Sequence, residues 1–183
     1  MMFLFRYYFI NILVIGGSIT LCLLLSPTRL PGTELLGIGT NWVLIWVVIW
    51  SVNRTVFQGV MAGLLLGLIQ DGLTGTYPSH VFGLVLVGFL TARLQKQRYL
   101  QEDFISIALI VFVMVIVVET ATAIQYFAGK IRTLEEISMD YQQLVLSSAI
   151  LSSLWAPVFY YPLNSWWEKA PHKTQYKVNS KNK

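Results

Sequence analysis

Residues 58–75 read Gln-Gly-Val-Met-Ala-Gly-Leu-Leu-Leu-Gly-Leu-Ile-Gln-Asp-Gly-Leu-Thr-Gly, and three of these glycines recur every four residues. On a helix they share one face, and we call them the glycine row: Gly59, Gly63 and Gly67. The same spacing then reaches Asp71 and Gly75. In lipid, small residues at this spacing let a second helix backbone approach closely. The row therefore predicts a packing seam that ends in a carboxylate, filled either by another helix of this chain or by a partner's helix.

The composition is that of an integral membrane protein. Of 183 residues, 55% are hydrophobic and only 12% are charged, and the mean hydropathy is +0.61. Soluble domains carry about 25% charged residues, so this chain has too few charges for a water-facing surface. Its one cysteine, Cys22, lies in an apolar run, which excludes a disulfide bond within the chain and indicates a small packing residue.

Six apolar runs predict an all-α, polytopic bundle of about six transmembrane helices in a single domain, residues 1–168. The runs are about 8–25, 35–52, 55–69, 77–94, 104–127 and 144–163. The first run is interpreted as an uncleaved anchor. The third is short for a bilayer core of about 30 Å, so we expect it to end in a shallow cavity or re-entrant bend. Three tryptophans at helical spacing in the second run pack on a neighbour or face lipid: Trp42, Trp46 and Trp50.

The basic residues predict the orientation. With six spans and the N-terminus inside, ten lysines and arginines fall on inner segments and three on outer loops. This bias places both termini in the cytoplasm, although a five-span topology, without the third run, would weaken it. The tail, residues 169–183, has five lysines and no acid. We expect it to be flexible and to bind anionic lipid rather than nucleic acid.

Glu119 is the one carboxylate far inside a predicted span. A charge at the bilayer centre costs about 2.5–3.5 kcal/mol on insertion scales, so such residues face the bundle interior. Two interpretations stay open. Glu119 belongs to a proton- or ligand-linked polar site, or it is a neutral glutamic acid that hydrogen-bonds a neighbouring helix.

Asp71 and His80 flank a short outer loop and are predicted to meet across it. They either form a polar contact for a partner or ligand, or Asp71 caps the turn by accepting backbone N–H groups. His80 is a candidate member of the polar site with Glu119, but a lone histidine indicates a structural role more often.

Enzyme signatures are scarce in the sequence. It has two histidines, His80 and His172, and lacks H-E-x-x-H, G-x-S-x-G, a Walker loop and metal-spaced cysteines. We predict no catalysis, no cofactor and no metal site.

The segment from Gly63 to Gly75 resembles the characteristic region of the MreD family of bacterial rod shape-determining membrane proteins. The similarity extends upstream to residues 41–46 and downstream through residues 78–94. The chain departs from the family at Thr40-Asn41, where many members have two prolines, and at Ser79-His80, where a glycine commonly follows the proline.

The resemblance implies a non-enzymatic scaffold of the cell-elongation complex in the bacterial inner membrane. Similar proteins associate with the bitopic protein MreC, and through it with MreB and with the RodA–transpeptidase pair that builds lateral peptidoglycan. The residues expected to bind the partner are the glycine row, Asp71 and Gly75. Self-association is left open.

A second function comes from another class. The family is similar in size and helix count to the substrate-binding subunits of energy-coupling vitamin transporters, which hold a small molecule in an outward cavity. Those subunits often carry an Ala-xxx-Ala row in the first span, whereas residues 10–25 contain no alanine.

Overall fold

The computed structural model describes residues 2–26, 28, 34–35, 38–52, 54–75, 78–96, 104–129 and 134–168. Within these ranges it has six helices and one two-stranded hairpin, so the predicted all-α class is confirmed. The helices are α1 (Met2–Leu25), α2 (Trp42–Val52), α3 (Val56–Thr74), α4 (His80–Lys96), α5 (Phe104–Ala128) and α6 (Leu134–Glu168), and the strands are β1 (Glu34–Leu35) and β2 (Ile38–Gly39). The basic tail, residues 169–183, lies outside the described part.

Three helices of the described part are long and apolar enough to cross a membrane: Val56–Thr74, Phe104–Ala128 and Gln142–Trp166. In the other three helices the apolar stretches of the described part are shorter: Phe9–Leu25 in α1, Trp42–Val52 in α2 and His80–Leu94 in α4. The glycine-row helix is thus longer than predicted. It continues through Asp71 for 19 residues, about 28 Å at 1.5 Å per residue, so the expected early end near residue 69 is wrong.

Local capping sets the limits of α3. Thr55 Oγ1 accepts a hydrogen bond from the Gln58 backbone N–H, and Gln58 Oε1 accepts one from the Thr55 N–H. This reciprocal pair is a capping box, which satisfies two otherwise free donors at a helix start. At the other end Gly75 has φ +110°, a conformation that side chains disfavour and that terminates the helix.

The helix in the second predicted run is shorter than the run itself. Strands β1 and β2 pair antiparallel, with Leu35 opposite Ile38, where we expected the helix to begin. Asn41 Oδ1 accepts a hydrogen bond from the Leu44 N–H at 3.1 Å. An asparagine in this position is a favoured N-cap, and it explains why α2 starts at Trp42.

Helix α2 forms the centre of the bundle. It contacts each of the other five helices, and its residues 42–49 are all buried. The tryptophan stripe packs on neighbours. Trp42 meets Trp155 of α6 at 5.5 Å between ring centroids, whereas Trp46 stacks on Trp50 at 5.3 Å. A helix that is apolar on every side belongs in such an interior position.

Helix α6 begins earlier than predicted and passes through two prolines. It starts at Leu134, ten residues before the predicted run at about 144–163, and continues past Pro157 and Pro162 to Glu168. Prolines are tolerated in transmembrane helices because neighbouring helices and local adjustments satisfy the freed backbone groups. Residues 130–133 are not described.

The glycine row lies against α4 of the same chain. A Cβ added to Gly59 would lie 2.5 Å from the carbonyl oxygen of Gly88, and one at Gly67 would lie 2.5 Å from Val81 Cα. A Cβ at Gly63 would collide with the backbone of Leu84. The seam is therefore filled internally, and a partner's helix has no room in it. For these three glycines the partner-binding interpretation is corrected, because α4 already occupies their face.

We expect Gly63→Ala to lower the free energy of unfolding by about 1–3 kcal/mol, since the new methyl group meets backbone that cannot rotate away. The matched control is Gly72→Ala on the same helix, where an added Cβ has no atom within 4 Å. This control should be neutral or stabilising by up to about 1 kcal/mol. Thermal unfolding of the detergent-purified variants measures both, and equal melting temperatures would contradict the internal seam.

Candidate functional site

Asp71 ties the end of α3 to the start of α4. Its Oδ1 accepts a hydrogen bond from the His80 backbone N–H at 2.7 Å, and its Oδ2 accepts one from Ser79 Oγ at 2.8 Å. His80 Nδ1 lies 2.8 Å from the same Oδ1. Asp71 and His80 thus meet as predicted. The carboxylate acts as an N-cap supplied by a neighbouring helix, because it satisfies a free donor at the start of α4.

Gln125 of α5 fixes the other side of this loop. Its Oε1 accepts a hydrogen bond from the Ser79 N–H at 2.9 Å, and its Nε2 donates one to the Ser79 carbonyl at 3.0 Å. The Gln125 amide thus bonds both the N–H and the carbonyl group of Ser79, as the backbone of a neighbouring β-strand would. No sequence signal predicted this role of Gln125.

Serine, aspartate and histidine meet here in an order that does not form a catalytic triad. In the triad, histidine bonds the serine hydroxyl and aspartate bonds the histidine. Here Ser79 Oγ and His80 Nδ1 both bond Asp71, so the hydroxyl donates to the carboxylate and the imidazole is not positioned as its base. The cluster holds a turn together.

A cavity of about 650 Å³ opens beside this loop. Four helices (α3, α4, α5 and α6) and β2 contribute to its lining, together with Ser26 just after α1 and Thr40 and Asn41 just before α2. All of these segments lie at the end of the bundle that the charge distribution predicts to face outward. We expected a shallow outward cavity at the end of the third run. The observed cavity lies at that end of the bundle, but it forms between helices rather than at a break in α3.

The cavity brings together the two residues of the candidate polar site. Glu119 and His80 are 39 positions apart in the sequence, and both contribute to its lining. Gly75 lines it too, whereas Asp71 and the glycine row do not. Glu119 is partly buried and makes no hydrogen bond or ion pair with any residue that the structure describes.

Gln70 is a lining residue that was not predicted from the sequence. It is 8% exposed, and its Oε1 has no hydrogen-bond partner within the described ranges. A buried acceptor without a partner costs about 1–3 kcal/mol. The available signal was its place on α3, three residues after Gly67 and so on nearly the same helix face.

The described residues contain no group of three or more histidine, cysteine, aspartate or glutamate side chains that could hold a metal ion.

The comparisons with known proteins give one match. A family model described as rod shape-determining protein MreD matches residues 3–163, which is nearly the whole chain. No curated protein matches, and no solved structure matches either.

Asp71→Ala should lower the free energy of unfolding by about 2–3 kcal/mol, because α4 loses its cap and the serine and histidine lose their common partner. Ser79→Ala removes one hydrogen bond and should cost about 1 kcal/mol. Thermal unfolding in detergent ranks the two variants, and an Asp71→Ala protein as stable as Ser79→Ala would contradict the capping role.

Proposed function

This chain belongs to the MreD family of rod shape-determining proteins, and we propose on that basis that it is a non-enzymatic scaffold of the cell-elongation complex. It binds an MreC-like bitopic membrane protein and helps to organise lateral peptidoglycan synthesis. The family match over residues 3–163 is the observation that carries the proposal. Through that partner the scaffold is linked to MreB and to the RodA–transpeptidase pair.

The same family and the apolar helices make it a membrane protein. We propose a multi-pass position in the bacterial inner membrane with both termini in the cytoplasm. The even number of helices supports it, as does the excess of basic residues on the inner segments. The tail, residues 169–183, would then lie near anionic lipid headgroups.

Helix α1 offers a surface for the partner, now that α4 fills the glycine row. Its face formed by Leu13, Gly17 and Leu24 is exposed, with 61% and 65% exposure for the two leucines. No atom lies within 4 Å of a Cβ added at Gly17. Without a side chain there, another helix backbone can come close and gain dispersion contacts. We assign this face, the α1 face, to the single transmembrane helix of the MreC-like partner.

The vitamin-transporter alternative has one observation in its favour, the outward cavity beside Glu119. The family match and the lack of alanine in residues 10–25 favour the scaffold instead.

Site-directed cross-linking in native membranes tests the scaffold. In a Cys22→Ser background, Leu13→Cys or Gly17→Cys should form a cross-link to a protein that mass spectrometry identifies as MreC-like and bitopic. The matched control is Leu109→Cys on α5, which is similarly exposed at 60% and should face lipid.

Cross-links to such a partner from the control position alone would remove the α1 face from the proposal. If the purified protein also fails to retain this partner in a pull-down from solubilised membranes, the scaffold function is contradicted.

A further inference from the structure

The cavity carries two polar groups whose bonding capacity the protein leaves unused. Gln70 is more than nine-tenths buried, and its Oε1 has no hydrogen-bond partner among the described residues. Glu119 of α5 also contributes to the lining, is partly buried, and makes no hydrogen bond or ion pair with any described residue. Buried polar groups in folded proteins nearly always have a partner, so a cavity lined by the unpartnered Gln70 Oε1 and by the carboxyl group of Glu119 is suited to a ligand.

The unused groups are acceptors, and the lining has no fixed cation. The described lining contains no lysine or arginine, and the imidazole of His80 is already engaged with Asp71. A carboxyl group at membrane depth is expensive unless a cation or donor compensates it. A ligand that donates hydrogen bonds and carries positive charge therefore complements this site, whereas an anion would be repelled.

The volume fits a small organic molecule. About 650 Å³ lies within the range of 300–1,000 Å³ that small-molecule sites occupy. The lining also includes apolar side chains, among them Ile38, Val118 and Leu144. These can accept an apolar body while the polar groups hold its charged end.

We propose that the cavity binds a protonated primary amine with an apolar body, held by Glu119 and Gln70. The ammonium group donates to the Glu119 carboxylate and to Gln70 Oε1, and the hydrocarbon part lies against the apolar lining. A free amine and the headgroup of phosphatidylethanolamine share this chemistry. The site is independent of the α1 face and does not require that the protein act in transport.

Thermal unfolding of the full-length protein in detergent tests the site with hexylamine as the probe and hexanol as its uncharged match. A ligand that binds only the folded state raises the melting temperature. We expect hexylamine to raise it in a saturable manner and hexanol to leave it unchanged. In parallel, nanodiscs of phosphatidylethanolamine and of phosphatidylglycerol distinguish the two sources: a higher melting temperature in phosphatidylethanolamine indicates the lipid headgroup.

Two variants link the effect to the cavity. Glu119→Gln and Gln70→Met keep the side-chain size, and each should weaken hexylamine binding about tenfold or more, since each removes a bond to a charged group. Gln70→Met should also melt higher than the unmodified protein without ligand, because it removes a buried acceptor that has no partner. If Gln70 instead stabilised the fold through its own hydrogen bonds, Gln70→Met would melt lower. Gln143→Met is the control, since Gln143 is exposed and outside the lining, and it should bind hexylamine normally.

The proposal is overturned if neither hexylamine nor phosphatidylethanolamine raises the melting temperature. It is also overturned if hexanol acts as strongly as hexylamine, or if Glu119→Gln and Gln70→Met respond like the Gln143→Met control. None of these results affects the cross-linking to a partner. If the amine site is contradicted, the scaffold function is still tested separately by that cross-linking.

Discussion

The close approach of the α3 and α4 backbones is the constraint on which the rest of the structure depends. Where Gly59 and Gly88 face each other, neither helix has a side chain to hold the two apart. In lipid, helices gain little from the hydrophobic effect and associate through packing and hydrogen bonds. The contact therefore has to be tight to be stable, and only glycine permits that distance along this face.

The polar end of the bundle follows from this approach. With α3 against α4, Asp71 reaches the first backbone N–H of α4, and the intervening turn is short enough for Gln125 to hold it from α5. Gln70, one residue before Asp71, then lines the same cavity as His80 and Glu119. The α3–α4 contact thus positions the cap and two lining residues, Gln70 of α3 and His80 of α4. The central helix α2 is only about 16 Å long at 1.5 Å per residue and is surrounded by the other helices. The cavity lies beyond its N-terminal end.

Much of this arrangement was visible in the sequence. Hydrophobic runs predicted six helices, and the glycine spacing predicted a close seam, because both depend on local periodicity. The sequence did not predict which helix fills the seam. Opposite Gly63 lies the backbone of Leu84, and a leucine gives no sign of a close contact. Helix limits also differed where capping decided them, as at Asn41, or where no breaker acted, as at Asp71. Glu119 and His80 were chosen as polar residues, but their place in the lining of one cavity depends on tertiary packing across 39 positions, which periodicity does not encode.

The internal seam is tested most directly by nuclear Overhauser contacts in protein that is deuterated except at glycine and reconstituted in a membrane mimetic. The account predicts a cross-peak between the α-protons of Gly59 and Gly88, whose backbones nearly touch, in the protein purified without any partner. Assigned resonances for both glycines with no cross-peak between them would contradict it, since α3 and α4 would then be apart and the glycine row open to another helix.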